Sequence, residues 1–372
     1  MRALARVNLA AIERNVRTLC SRLSPEAHLC AVVKADGYGH GAVPAAKAAR
    51  AAGATWLAVA TADEAAELRE APMAGPLLVM GALSQDEIER AVEADADVVA
   101  WSESFVRRLA GAACGRTVGV HVKLDTGMGR LGTRDSEEAR RVAELIEATD
   151  GVALRGAMTH FATADGDREF LQRQLETFVP FAEQMRAAQP SIVVHAANSA
   201  ATLVEPASHF DLVRCGVAIY GLDPMNEDPD AQGLEPALEL SSYVAAVKPA
   251  KPGESAGYGR TFVAERATVI GTLPIGYGDG VRRALSNNCE LLIGGGRYPM
   301  AGTVSMDNIT VELGPSTSVE VGERGVIIGR DGDQRQTAED LARRIDTINY
   351  EITCGISKRV PRAYHRDGEP AE

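Results

Sequence analysis

The chain has 372 residues, more than one ordinary core accommodates, which points to two domains or to one barrel with an addition. A formal net charge of −12 excludes a surface built to neutralise nucleic-acid phosphates, which needs clustered Lys and Arg, and no window approaches the roughly 18 consecutive apolar residues of a membrane span. Neither nucleic acid nor membrane is therefore an expected partner.

At the N-terminus, Arg2, Arg6, Asn8 and Glu13 interrupt the apolar residues and spoil the hydrophobic stretch of a secretory signal, so the expected compartment is the cytoplasm. The six cysteines, at 20, 30, 114, 215, 289 and 354, form no C-x-x-C and no cluster with histidine, which reads as scattered reduced thiols and no metal site. From about residue 29 to 215 eight β-branched runs follow one another: HLCAVV, TWLAVA, PLLVM, DVVA, VGVHVKL, LRGAM, IVVHA and DLVRCG. Between most of them lie charged segments with helical spacing, among them 61–71, 84–94 and 135–149. Strand alternating with helix implies a parallel sheet, and eight such units imply closure into a TIM-like (β/α)8 barrel, with an open doubly wound sheet as the alternative. Residues 222–236, LDPMNEDPDAQGLEP, read as a linker. Beyond it ELSSYVAAV, ATVIGTLPI, CELLIGG, RYPMAG, NITVEL and RGVIIG predict a mainly β domain with one late helix, TAEDLARRI, and a polar, mobile tail at 366–372.

A (β/α)8 enzyme carries its active site at the C-terminal ends of the strands. Here those ends are polar: Lys34 closes the first barrel strand, Lys123 and Asp125 the fifth and His160 the sixth, Asn198 follows the seventh, and Arg214 stands at the eighth. Lys34 follows the run LCAVV, where desolvation favours a free amine able to form a Schiff base with an aldehyde such as pyridoxal phosphate. Taken alone, Lys34 reads as a lysine snorkelling out of a strand end. The loop ADGYGHGA lets backbone approach a ligand phosphate, and Arg214-Cys215-Gly216-Val217 offers a second cradle where barrel phosphates commonly bind.

Nine blocks carry a family likeness: AVVKADGYGHG, HVKLDTGMGRLG, THFATAD, NSAA, VRCGVAIYGL, AGYGRTF, IGYGDG, AGTVSMD and TINYEITCGI. In this order, across nearly the whole chain, they resemble the alanine racemase family. The resemblance implies a barrel over 1–230, whose first short strand packs with the C-terminal domain, and a β-rich domain over 231–372 that contributes to the partner's active site in a homodimer. It further implies an isomerase that interconverts L-alanine and D-alanine on pyridoxal 5′-phosphate and supplies D-alanine for peptidoglycan.

By the same resemblance Lys34 holds the cofactor and exchanges the α-proton of the D-enantiomer, while Tyr258 of the partner subunit does so for the L-enantiomer, since inversion needs proton access to both faces. A phenol is a weak acid, with a pKa of about 10, so this role calls for nearby positive charge, and His160 and Arg214 are similar to the family residues that form a hydrogen-bonded chain to this tyrosine. Without the family, Tyr258 reads as a tyrosine making a structural hydrogen bond. Arg214 is similar to the arginine that meets the pyridine nitrogen, and Arg130 to the one that grips the substrate carboxylate, although alone Arg130 reads as a surface residue of a Gly-rich turn. Lys123 resembles a lysine carbamylated in the family. Tyr38, Asn198, Ser199, Gly216, Val217 and Tyr350 are implied around the cofactor, chiefly its phosphate. Tyr277, Met306 and Asp307 are implied at the substrate entrance; alone, Met306 and Asp307 read as a strand end and a turn. Three other functions compete: a serine or broad-specificity racemase, a related barrel decarboxylase of basic amino acids, and a non-enzymatic pyridoxal-phosphate carrier.

Overall fold

A computed structural model of the chain describes residues 1–71 and 73–371. It divides into two compact units, one formed by Glu13–Gly37 and Ala42–Ile219, the other by Met1–Ile12, Tyr38–Gly41 and the chain from Tyr220 onward.

Strand β1 (Ala3–Asn8) belongs to the second unit, and helix α1 (Leu9–Cys20) leads into the first. The first unit is then built from β2 (His28–Val32), α2 (Ala42–Ala51), β3 (Trp56–Val59), α3 (Ala62–Glu70), β4 (Leu77–Val79), α4 (Gln85–Glu93), β5 (Asp97–Ala100), α5 (Glu103–Ala112), β6 (Val118–Lys123), α6 (Ser136–Glu147), β7 (Val152–Met158), α7 (Arg168–Ala188), β8 (Val193–His195), α8 (Ser199–Val204) and β9 (Leu212–Cys215). All eight strands of the sheet are parallel, in the order β8-β7-β6-β5-β4-β3-β2-β9. The two ends of that order meet through Asp211 N–H on the Val194 carbonyl (3.0 Å) and Arg214 N–H on the Ala197 carbonyl (2.9 Å), which nearly closes the barrel. The strands are the eight β-branched runs read from sequence. They are apolar on both faces because helices cover the outside while side chains fill the inside. Helix starts follow local chemistry: Thr61 with Glu64 and Ser84 with Glu87 form reciprocal capping boxes, so each helix begins where its unpaired N–H groups find an acceptor.

The second unit is mainly β. Its largest sheet combines β1 with β10 (Leu238–Tyr243), β15 (Glu290–Ile293), β16 (Gly296–Pro299), β18 (Arg324–Asp331), β19 (Gln334–Gln336), β20 (Arg362–Arg366) and β21 (Glu369–Pro370). A three-stranded sheet of β11 (Ala246–Ala250), β14 (Thr268–Leu273) and β17 (Ile309–Gly314) and a ribbon of β12 (Ser255–Ala256) with β13 (Phe262–Val263) complete it. Two helices come late, α9 (Ala338–Arg344) and α10 (Asn349–Cys354), the second of which the sequence pattern does not predict. β1 pairs antiparallel with β10 and parallel with β20.

Two sequence expectations are corrected. Residues 222–236 are no loose linker: Leu222, Asp223 and Leu234 are buried, and Glu339 Oε1 accepts the Asp223 N–H at 3.1 Å. The Asp, Pro and Gly content that read as a linker supplies a 3-10 turn at Pro229–Gln232 ended by left-handed Gly233. The tail at 366–371 folds back, with β21 pairing onto β20.

Candidate active site

Lys34 lies two residues beyond β2, and the backbone directly after it is strained. Ala35, Asp36, Gly37 and Tyr38 have φ of 53°, 53°, 59° and 54°, a left-handed turn that L-residues other than glycine adopt at a cost. Side chains of the first unit hold it: Glu64 accepts the Ala35 N–H at 2.6 Å while also capping α3, and Asp36 accepts the Ala42 N–H at 3.1 Å. The turn re-aims the chain immediately beyond the lysine.

Four cations gather at this end of the barrel. The charges of Arg214, Lys123, Arg130 and Lys34 all bear on His160 and, after its burial, hold the imidazole well below its usual pKa, so it is neutral at pH 7. Lys123, at the end of β6, is 4% exposed and held down to about 8, first by burial and then by Arg214 and Arg130. Asp125 is no free counter-charge. Burial alone would raise its pKa, yet the N–H groups of Gly129 and Gly127 and the Arg134 guanidinium keep its carboxyl low. It therefore shapes the Gly-rich turn that carries exposed Arg130.

Arg214 is the most constrained cation. Its Nη1 lies 2.8 Å from His195 Nδ1, and its Nη2 donates to the carbonyls of Thr159 (2.8 Å) and Ala196 (2.9 Å), with His160 Nδ1 at 3.2 Å. Burial lowers its pKa to about 10, which leaves it protonated at neutral pH. Its Nε is buried without a hydrogen-bond partner. A donor left unsatisfied in a dry site is costly, so this N–H fits a ligand acceptor such as a ring nitrogen.

Nearby, Ser199 Oγ accepts the N–H groups of Gly216 (3.0 Å) and Ala218 (3.4 Å), while Asn198 caps α8 by accepting the Ala201 N–H (3.0 Å). A hydroxyl and backbone amides clustered beyond β9 suit a phosphate better than a side-chain charge would. The donor set as a whole, a lysine amine at a strand end, an unpartnered guanidinium N–H and an amide–hydroxyl cradle, fits pyridoxal phosphate.

In the second unit Tyr38 is buried against Tyr220 and Tyr350, at ring-centroid distances of 5.2 and 6.0 Å. Gly39 allows this approach, because a Cβ there would lie 2.2 Å from the Thr353 carbonyl oxygen. Tyr258 bridges to Thr303 and leaves its side chain 74% exposed. Tyr277, Met306 and Asp307 come together through Tyr277 N–H on Ser305 O (2.9 Å) and Gly278 N–H on Met306 O (2.9 Å). Asp307 is fixed by Arg359 at 2.9 Å.

Sequence reasoning missed His121, His195 and Asp97. A signal was present: counting back in twos from Lys123 along β6 reaches His121 and then Gly119, so a histidine inside a fully buried strand faces the barrel interior.

The sequence model of the alanine racemase N-terminal domain matches residues 7–224, and that of the C-terminal domain matches 237–364. The alanine racemase of Symbiobacterium thermophilum is 42% identical over 97% of this chain and 96% of its own length. That of Halalkalibacterium halodurans is 42% identical over 98% and 95%. Among solved structures, alanine racemase from Streptomyces lavendulae superposes with a TM-score of 0.92 at 38% identity, covering 98% of this chain and 97% of that one. Alanine racemase from Bacillus anthracis with bound L-Ala-P superposes with a TM-score of 0.92 at 36% identity, over 100% and 97%. The chain belongs to the alanine racemase family.

Proposed function

We propose that this chain interconverts L-alanine and D-alanine by moving protons at the two faces of the α-carbon, with Lys34 serving one face and Tyr258 of a partner subunit the other. Pyridoxal 5′-phosphate is the family's cofactor, and when bound it supplies an electron-withdrawing ring that acidifies the α-C–H bond. The observation that carries the reading is the buried, unpartnered Nε of Arg214 at the same barrel end as Lys34 and the neutral His160.

Lys34 would hold the cofactor and take or give the proton on its own face. Arg214 would donate from Nε to the ring nitrogen while keeping its own proton, because even at a pKa of about 10 it is a donor only. Ser199, Gly216 and Val217 would hold the phosphate, and Asn198 keeps the start of α8 in place behind them. Arg130 would bind the substrate carboxylate, for which a two-pronged guanidinium is suited. Lys123, with its ammonium weakened, is a candidate for carbamylation, since the free amine is the form that captures carbon dioxide. Tyr277, Met306 and Asp307 would narrow the entrance and favour a small side chain.

The exposed Tyr258, Tyr277 and Met306 support a homodimer in which this surface is covered by a partner. We assign the protein to the cytoplasm and to the supply of D-alanine for peptidoglycan. Among the described residues no helix is long and apolar enough to cross a membrane. The carrier reading loses to the C-terminal family match over 237–364, since a bare cofactor-holding barrel needs no such domain.

The test is a visible absorbance spectrum of purified protein before and after borohydride, peptide mapping of the reduced adduct, and assay of L-alanine and L-serine. A label on Lys34 with D-alanine formed faster than D-serine supports the proposal. Cofactor without alanine turnover, or label on another lysine, contradicts it.

A further inference from the structure

Four side chains inside the barrel form one hydrogen-bonded chain whose direction chemistry dictates. Arg214 Nη1 lies 2.8 Å from His195 Nδ1, and a guanidinium has no acceptor, so His195 Nδ1 accepts. The His195 proton therefore sits on Nε2, which lies 2.7 Å from His121 Nδ1. That nitrogen must accept in turn, which leaves His121 Nε2 to donate to Asp97 Oδ2 at 3.3 Å. The chain runs only one way, from Arg214 to the Asp97 carboxylate.

The fold makes room for it. A Cβ at Gly119 would lie 2.1 Å from Asp97 Oδ1, and one at Gly156 would lie 1.9 Å from His121 Nδ1. Neither glycine has a positive φ, so space and not backbone freedom is what these strand positions require. Trp56 packs edge-on against His121 at 5.5 Å. Asp97 is half-buried and borders a cavity of about 490 Å³ at the N-terminal ends of β4 to β7, together with Arg116 and Arg155. Its carboxylate thus keeps contact with water while both histidines are fully buried.

A buried cation needs an anion or several oriented dipoles. Among the described residues no carboxylate hydrogen-bonds to Arg214, and the carbonyls of Thr159 and Ala196 supply only partial charge. We propose that Asp97, acting through His121 and His195, is the remote counter-charge that orients Arg214 and aims its Nε. Each link polarises the next, so the negative end at Asp97 strengthens a bond three links away. Asp97, His121 and His195 are positioning residues, and of the three it is His195 that meets a site residue, Arg214, at 2.8 Å. The inference rests on the proposed role of Arg214 only where cofactor affinity is concerned.

The experiment uses cofactor-loaded protein labelled with 15N-histidine, in wild-type form and as Asp97→Asn, which keeps shape and removes charge. Both buried histidines are expected as Nε2–H tautomers, as the hydrogen-bonded chain requires, with the Nε2 signal of His121 shifting in Asp97→Asn. A neutral Nδ1–H tautomer or a doubly protonated ring at either position overturns the proposal. Equilibrium dialysis of pyridoxal phosphate supplies a second readout. Asp97→Asn weakens retention by about two- to tenfold, the effect of one weakened hydrogen bond, and Asp97→Glu, whose extra methylene the cavity accommodates, recovers most of it. Unchanged retention in Asp97→Asn overturns the coupling, unless Arg214→Gln also leaves retention unchanged, in which case the ring-contact reading of Arg214 fails and the tautomer measurement decides the relay.

Discussion

Burial and two neighbouring guanidinium groups bring the Lys123 ammonium down to about 8 from its ordinary 10.5. Between those values the folded protein binds fewer protons than the unfolded chain, so the penalty of burying this charge is fully present below pH 8 and fades as pH rises to 10.5. Its size is about 3 kcal/mol. In buffer free of carbon dioxide, Lys123→Met is therefore expected to be more stable than wild type by up to that amount at pH 7, and to lose the advantage at high pH, as read by urea denaturation at each pH. Added bicarbonate should raise the mass of the wild-type protein by one carbamate and erase the advantage at pH 7; an unchanged mass would remove carbamylation from the account. Arg214 makes a second prediction at this scale. Because it donates without giving up a proton, replacing it with Glu, which can share one with a ring nitrogen, should increase transamination, measured as pyruvate formed from alanine. No increase would contradict the ring contact.

The left-handed turn after Lys34 is an element under strain. Ala35, Asp36 and Tyr38 each sit where a Cβ crowds the backbone, at a cost of roughly 1–2 kcal/mol per residue. Ala35→Gly should thus stabilise the fold by about 1 kcal/mol, detectable by denaturant midpoint, and a loss of stability would mean that the turn is not strained at that residue. Gly39 has the opposite logic. With φ of 85° and the Thr353 carbonyl 2.2 Å from a would-be Cβ, Gly39→Ala must push Tyr38 and α10 apart. The expected cost is about 3 kcal/mol, with a weakened Tyr38–Tyr350 contact visible in tyrosine fluorescence.

At the scale of the whole molecule, the proposed homodimer requires a second copy to cover the surface around Tyr258 and Met306. Tyr258 is 74% exposed and Met306 52%, an unusual state for large side chains proposed to meet a small substrate. If Lys34 and Tyr258 of one site come from different subunits, Lys34→Ala and Tyr258→Phe are each inactive alone. Mixed and reassociated in equal amounts, they should recover about one quarter of wild-type activity, because half the dimers are mixed and each has one intact site. Zero recovery, with mixed dimers shown to form, would place both groups in one subunit.

Much of this was legible in the sequence, for physical reasons. Parallel strands buried on both faces leave uninterrupted β-branched runs, so the eight barrel strands could be read from composition alone. Lys34, Lys123, His160 and Arg214 declared themselves as polar residues where apolar runs end, and the ordered motifs carried the family. Other features depend on contacts distant in sequence. The proline- and aspartate-rich stretch at 222–236 read as a linker because its partners, Glu339 and Asn349, lie more than a hundred residues on. His121 and His195 sit inside apolar strands, and only barrel closure brings them within 2.7 Å of each other. The unpartnered Nε of Arg214 likewise has no local signature. Sequence specifies which elements form because their periodicity is local; which polar atoms go satisfied and which stay poised for a ligand is decided when the barrel closes and excludes water.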